Sequence, residues 1–155
     1  MKRKDREVTA QQAWEIVDRC TYGVVAMVDE NGMPYAVPVN TVREGSCIYF
    51  HSAQTGRKAD CLRGNPRVCV TFVEDNPAID QPGLTTRYSS AILFGRVDEI
   101  TEDTEKIAAL RLLCRKLAPE NPRSSGDFKG CRETTALWRI TAESITGKAN
   151  RGKPE

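Results

Sequence analysis

Tyr22-Gly-Val-Val-Ala-Met-Val28 is followed by Asp29-Glu-Asn-Gly32 and then by Pro34-Tyr-Ala-Val-Pro-Val-Asn40. Two β-rich runs joined by an Asn-Gly turn predict a hairpin, because Asn and Gly accept the positive φ angles that a tight turn between twisted strands requires. Pro34 and Pro38 have no N–H to give to a ladder, so the second strand must lie at a sheet edge or be bulged. The rest of the chain is read outward from this hairpin.

On its N-terminal side, Thr9-Ala-Gln-Gln12 has the form of a capping box, and Ala10, Ala13, Trp14 and Val17 recur at helical spacing, so residues 9–20 predict a short helix. On its C-terminal side, a turn at Arg43-Glu-Gly-Ser46 leads into Cys47-Ile-Tyr-Phe-His51, a strand with Ile48 and Phe50 on one face and Tyr49 and His51 on the other. Residues 56–65 predict a short helix stopped by Gly64 and Asn65-Pro66, and 67–73 another strand. The segment 74–86, with two prolines and a glycine, predicts a long loop. Residues 87–100 then form a long strand bent at Gly95, 101–118 a helix with an acidic first turn, and 119–132 a second loop. Residues 135–140 and 142–146 supply the closing strands. Strands linked mostly by short turns, with helices at the ends and in one crossover, argue against a parallel doubly wound sheet. They predict a mainly β fold with peripheral helices, an antiparallel barrel. No linker or repeat divides the 155 residues, so the chain reads as one domain with a core of about 9–148 and a basic tail at 149–155.

Composition narrows the function. With 23 basic and 21 acidic side chains the net charge is +2, too balanced for a dedicated nucleic-acid or membrane-surface binder. The lack of an aromatic-rich strand face counts against an oligonucleotide-binding barrel as well. The longest apolar runs are far shorter than the roughly 20 residues of a membrane helix, and the charged N-terminus is followed by a polar helix and not by an apolar leader, which predicts a cytoplasmic protein. Six cysteines without a CxxC pair, beside a single histidine, read as core thiols and not as disulfides or a zinc site. The motifs of serine hydrolases, P-loop enzymes and Rossmann dinucleotide binders are absent, and no paired carboxylates mark glycosidase chemistry.

The densest constellation is Tyr49-Phe50-His51-Ser52-Ala53-Gln54-Thr55-Gly56-Arg57-Lys58. A strand ends in His-Ser and the chain turns through Gly56 into a helix that begins Arg-Lys. Helix N–H groups, hydroxyls and two cations could converge there on a phosphate, or Arg57 and Lys58 could be an ordinary solvated pair. His51 is the one side chain whose unperturbed pKa lies near neutrality, so it is either a proton donor or a hydrogen-bonded strand-end residue. Tyr88-Ser89-Ser90 could reach a bound ring system or cap its own strand. Trp138 reads as a core or interface residue, and Ile107, Leu110, Leu113, Cys114 and Leu117 as the buried face of a helix.

The order of these pieces, Pro38-Val39-Asn40, Tyr-Phe-His51-Ser52-Ala, Gly56-Arg57-Lys58, Asn65-Pro-Arg-Val-Cys69, Tyr88-Ser89-Ser90-Ala-Ile-Leu-Phe-Gly95 and a Trp-Arg-Ile strand, resembles the pyridoxamine 5'-phosphate oxidase-like FMN-binding split-barrel superfamily. Within it, the chain is similar to the nitroimidazole-resistance (Nim-type) branch. The resemblance implies a six-stranded antiparallel split β-barrel with Greek-key topology, a homodimer, and FMN sites at the subunit interface. It implies that Arg57 and Lys58 grip the flavin phosphate, that Pro38, Val39 and Asn40 meet the isoalloxazine edge, that His51 and Ser52 flank ring and phosphate, and that Ser89 and Ser90 reach the cofactor. His51 is the implied catalytic residue, and no metal is implied. The implied activity is FMN-dependent reduction of a small planar acceptor, such as a nitroimidazole nitro group taken to the amine, with a reduced nicotinamide as donor. The alternative is a flavin- or tetrapyrrole-binding carrier or sensor without turnover. The substrate-phosphate clamp of vitamin B6 oxidation has no counterpart in the chain.

Overall fold

The computed structural model describes residues 2–74, 79–80, 85–122, 126 and 128–150. From the N-terminus the elements are β1 (Glu7–Val8), α1 (Ala10–Arg19), β2 (Tyr22–Val28), β3 (Pro34–Asn40), β4 (Val42–Glu44), β5 (Cys47–Ala53) and α2 (Arg57–Gly64). There follow β6 (Arg67–Val73), β7 (Ile79–Asp80), β8 (Thr85–Thr86), β9 (Tyr88–Ile100), α3 (Asp103–Leu117), α4 (Lys129–Thr134) and β10 (Thr135–Asn150).

One antiparallel sheet runs in the order β3-β2-β6-β9-β10-β5-β4, with β1 added on β10. The hairpin forms as its sequence dictates. Gly32 takes φ +79, and the Asp29 carboxylate accepts from the backbone N–H groups of Asn31 at 3.0 Å and Met33 at 2.9 Å, which fixes the turn and through it the register from Val28↔Pro34 to Tyr22↔Asn40. β3 is the edge of the ladder, as its two prolines require. The sheet curls until β3 lies against β5, their Cα atoms approaching within 8 Å with no ladder joining them. A barrel split at this seam results, its wall made of the six long strands β2, β3, β5, β6, β9 and β10.

Alternation then decides what is inside. Val25, Met27, Ile48, Phe50, Val70, Phe72, Leu93 and Trp138 fill the barrel, all at most 2% exposed. α1 covers one side, held by the Thr9–Gln12 capping box and burying Ala13, Ile16 and Val17. A second cluster lies on the outside of the sheet, where Tyr49, Ile100 and Leu137 pack under Ala109, Leu110 and Leu113 of α3. Gly95 is where two backbones nearly touch. A Cβ there would stand 2.4 Å from the Thr141 carbonyl oxygen, and the β10 register shifts between Ala142 and Ser144 immediately alongside, the bulge that lets the paired strands curve.

Four local expectations are corrected. β10 is one continuous strand through Asn150, so the closing strands are not separate and the first two residues assigned to the tail, Ala149 and Asn150, pair with Ser89 and Tyr88. Residues 151–155 of that tail lie outside the described residues. The segment read as a second loop carries α4, which follows Phe128, a partly buried side chain packed on the outer cluster. A two-residue ladder joins β7 to β8 within the segment read as a loop, the rest of which lies outside the described residues except Glu74 and its end at Thr86. The turn read at 43–46 is partly strand, because β4 pairs with β5 from Val42↔Tyr49 to Glu44↔Cys47.

Candidate functional site

β5 delivers two adjacent residues to opposite sides of the sheet. Ser52 points inward and is 6% exposed. Its Oγ accepts from the Trp138 indole Nε1–H at 2.9 Å and donates to the Ala53 carbonyl at 2.7 Å. Trp138, 1% exposed and stacked on Phe50, is thus a core residue with its polar handle satisfied. His51 points outward and is open to solvent along part of its ring. The packing around the imidazole, and then the charge of Lys58, push its pKa below the ordinary value, which favours the uncharged ring.

Beyond Ala53 the chain turns through Gly56, whose φ of +111 suits glycine, and enters α2. The N-terminus of α2 has no side-chain cap, so its first N–H groups have no side-chain acceptor. Arg57 and Lys58 diverge from this point. Arg57 turns toward the hairpin, where its Nη2 donates to Asp29 Oδ2 at 3.2 Å and its guanidinium lies 4.5 Å over the Tyr35 ring. On that side of α2 lies a groove of about 720 Å³ lined by Asp29, Glu30, Asp60, Cys61 and others, an acidic surface already supplied with its cation. Lys58 is half-buried on the other side, beside His51. It has no acidic partner among the described residues, and burial alone holds its pKa below the usual lysine value.

The remaining predicted residues are dispersed. Pro38 and Asn40 lie on the outer face of β3 and are exposed, while Val39 points inward at 7% exposure. Ser89 and Ser90, being neighbours on a strand, face opposite sides, with Ser90 on the outer face opposite Val73. Ser90 pairs with Lys148 and His51 with Leu137, eleven residues apart on β10, which is about 35 Å along an extended strand. The two therefore lie toward opposite ends of β10. The structure brings together His51, Lys58 and the α2 N-terminus; it turns Arg57 away and leaves Ser89 and Ser90 remote. It also shows a residue that the sequence did not single out. Arg63, at the end of α2, donates to both oxygens of Glu99 at 2.8 and 2.9 Å, donates to the Gln54 carbonyl at 2.9 Å, and lies 5.5 Å over the Trp138 ring. Nothing in its spacing announces it, since its three partners come from β9, β10 and the link between β5 and α2.

The described residues hold no cluster of metal-ligating side chains, and no described helix is long and apolar enough to cross a membrane. Comparison with solved structures places the fold among known ones. The chain is similar to a candidate 5-nitroimidazole antibiotic resistance protein from Bacteroides thetaiotaomicron, with 26% identity over 92% of this chain and 85% of that one and a TM-score of 0.79. It is also similar to an FAD- and heme-binding protein from Mycobacterium smegmatis (20% identity, 97% and 76% covered, TM-score 0.80) and an FAD-binding protein from Mesorhizobium loti (21% identity, 94% and 97% covered, TM-score 0.71). A search of the curated proteins finds no match. Residues 9–149 match the family profile described as pyridoxamine 5'-phosphate oxidase, from the cap of α1 to the penultimate residue of β10, and the chain with its split barrel therefore belongs to that family.

Proposed function

We propose that this chain is an FMN-dependent oxidoreductase that reduces a small planar electron acceptor, with a nitroimidazole nitro group as the first acceptor to try, and that it works as a homodimer. The observation that carries this reading is Lys58: a half-buried cation with no acidic partner among the described residues, beside the uncapped N-terminus of α2 and the His51 imidazole. Charge, helix dipole and free N–H groups there suit a phosphate dianion. The donor set fits the phosphate end of a flavin nucleotide.

Bound there, FMN supplies transfer of hydride or electrons from a reduced nicotinamide to the acceptor. The chain's own part is binding, orientation and protons. Lys58 holds the phosphate, Gly56 lets the backbone turn close to it, and His51 holds or passes a proton at a ring nitrogen beside the acceptor. A phosphate dianion bound nearby favours the imidazolium, the form of His51 that has a proton to give.

A second copy is supported by what one chain leaves bare. Tyr22 (53% exposed), Val73 (55%), Ile92 (39%) and Phe94 (54%) stand on one outer face of β2, β6 and β9, an apolar surface of the kind that marks an interface. Ser90 lies on that same face, so a docked copy would bring it against the second chain. The six free thiols suit the reducing cytoplasm.

The test is an absorption spectrum from about 300 to 600 nm after loading with FMN and desalting, followed by reduction with a nicotinamide donor and addition of an acceptor. Retained flavin bands that bleach and return support the oxidoreductase. Bands that never cycle point to a carrier or sensor, a haem-type band to a tetrapyrrole binder, and no retained chromophore overturns the proposal.

A further inference from the structure

We infer that Arg63 is a positioning residue for the His51–Lys58 corner, acting through Gln54 and Trp138. This rests on the reading of that corner as the phosphate end of a cofactor site. An exposed Arg–Glu pair by itself is worth little, and Arg63 is 42% exposed. Its geometry goes beyond an ion pair. Nε and Nη2 are engaged by Glu99, Nη1 by the carbonyl of Gln54, and the flat face of the guanidinium lies over Trp138.

Each contact leads to the site. Gln54 is the first residue after β5, midway between His51 and Arg57, and its own side chain donates to the Glu133 carbonyl of α4 at 2.6 Å. Its carbonyl is held from α2 and its amide from α4, so the link from strand to helix is braced on both sides. Trp138 holds Ser52, the residue next to His51, through its indole N–H. Glu99, its carboxyl held below the usual range chiefly by Arg63, ties the guanidinium to the end of β9. A phosphate site needs its donors held to a fraction of an ångström, and residues 54–56, between β5 and α2, have no regular structure to do this. Lysine cannot substitute, because one ammonium cannot make a bidentate contact to a carboxylate, a third bond to a carbonyl and a stack on a ring at once.

His51 is the only histidine, so its imidazole Cε1–H gives a single NMR signal that reports on this corner without any cofactor. Arg63→Ala and Arg63→Lys are each compared with the wild type for the pH titration of that signal, for FMN affinity by fluorescence and for thermal midpoint. The expected result is a His51 titration moved toward the ordinary imidazole value and FMN affinity weakened about tenfold in both variants. A lowered midpoint with an unmoved titration and unchanged affinity would make Arg63 a packing residue and overturn the inference. If Arg63→Ala does not fold, Glu99→Gln, which keeps the guanidinium and loosens its anchor, must move the same signal in the same direction; an unmoved signal there also overturns it. Should the wild type bind no FMN, the functional reading fails separately, and the His51 titration in the free protein still decides the role of Arg63.

Discussion

The outer face of β9 and β10 has two halves built on one alternation, and they end differently. Toward Ile100 the face is closed, with Ile100 3% and Leu137 0% exposed under α3. Toward Tyr88 the same side of the same strand carries Ile92 at 39% and Phe94 at 54%, and nothing in the described chain covers them. A sheet face is finished only when another layer buries its apolar side. The chain finishes one half with its own helix and leaves the other for a surface of like character, which in the proposed function is a second copy.

The strongest way to break this comparison is to charge the bare half. Phe94→Glu should convert the dimer to a monomer in light scattering behind gel filtration, with unchanged far-UV circular dichroism. It should also lose retained flavin, because Ser90 then has no site to reach. A wild type that is already monomeric, or a variant that stays dimeric, removes the second copy from this face. The matching change in the closed half is Leu113→Ala. It opens a cavity under α3 and should cost about 2–5 kcal/mol in urea unfolding, without changing oligomeric state. Equal effects of the two substitutions on oligomeric state would mean that the halves do not differ as described.

A smaller effect separates the two sides of α2. Lys58→Ala should weaken FMN binding about 10- to 100-fold, the loss expected for a charge-assisted contact. Arg57→Ala should weaken it by no more than about threefold, since Arg57 is already occupied by Asp29 and Tyr35. Calorimetric titration with FMN decides between them, and equal losses would return Arg57 to the phosphate.

What the sequence disclosed follows from the range of the interactions involved. The hairpin, the α1 cap, the edge position of β3 and the start of α2 depend on neighbours within a few residues, and all were legible. Gly95 was legible as a special position, although the reason, the Thr141 carbonyl pressed against it, comes from a strand more than forty residues away. The helix α4 was not legible, and Phe128 just before it packs on the outer cluster, a contact that no local pattern encodes. The site divides in the same way. His51 and Lys58 could be singled out because a strand end and a helix start are local events. The turn of Arg57 toward Asp29, the inward placement of Ser52 and the convergence on Arg63 depend on how distant elements pack. The separation of Ser90 from His51 along the sheet needed the register of β10, which the sequence reads as two strands.

The smallest effect is a pH dependence whose sign can be stated in advance. The fold lowers the pKa of His51 by packing around the ring and by the charge of Lys58. The folded state therefore binds fewer protons than the unfolded chain as pH falls through the ordinary imidazole range. This contribution is absent above the unfolded pKa, and stability is lost progressively as pH drops through it toward the folded pKa. A phosphate at Lys58 reverses the local charge. Its negative charge favours the imidazolium, so binding should draw a proton onto His51 and raise its pKa. FMN affinity of the wild type relative to His51→Gln should then rise between about pH 7.5 and 6, a comparison that cancels protonation of the phosphate itself, whose own pKa lies near 6. If the ratio of affinities is flat across that range, His51 does not sense the bound anion, and the corner it shares with Lys58 is not where the phosphate sits.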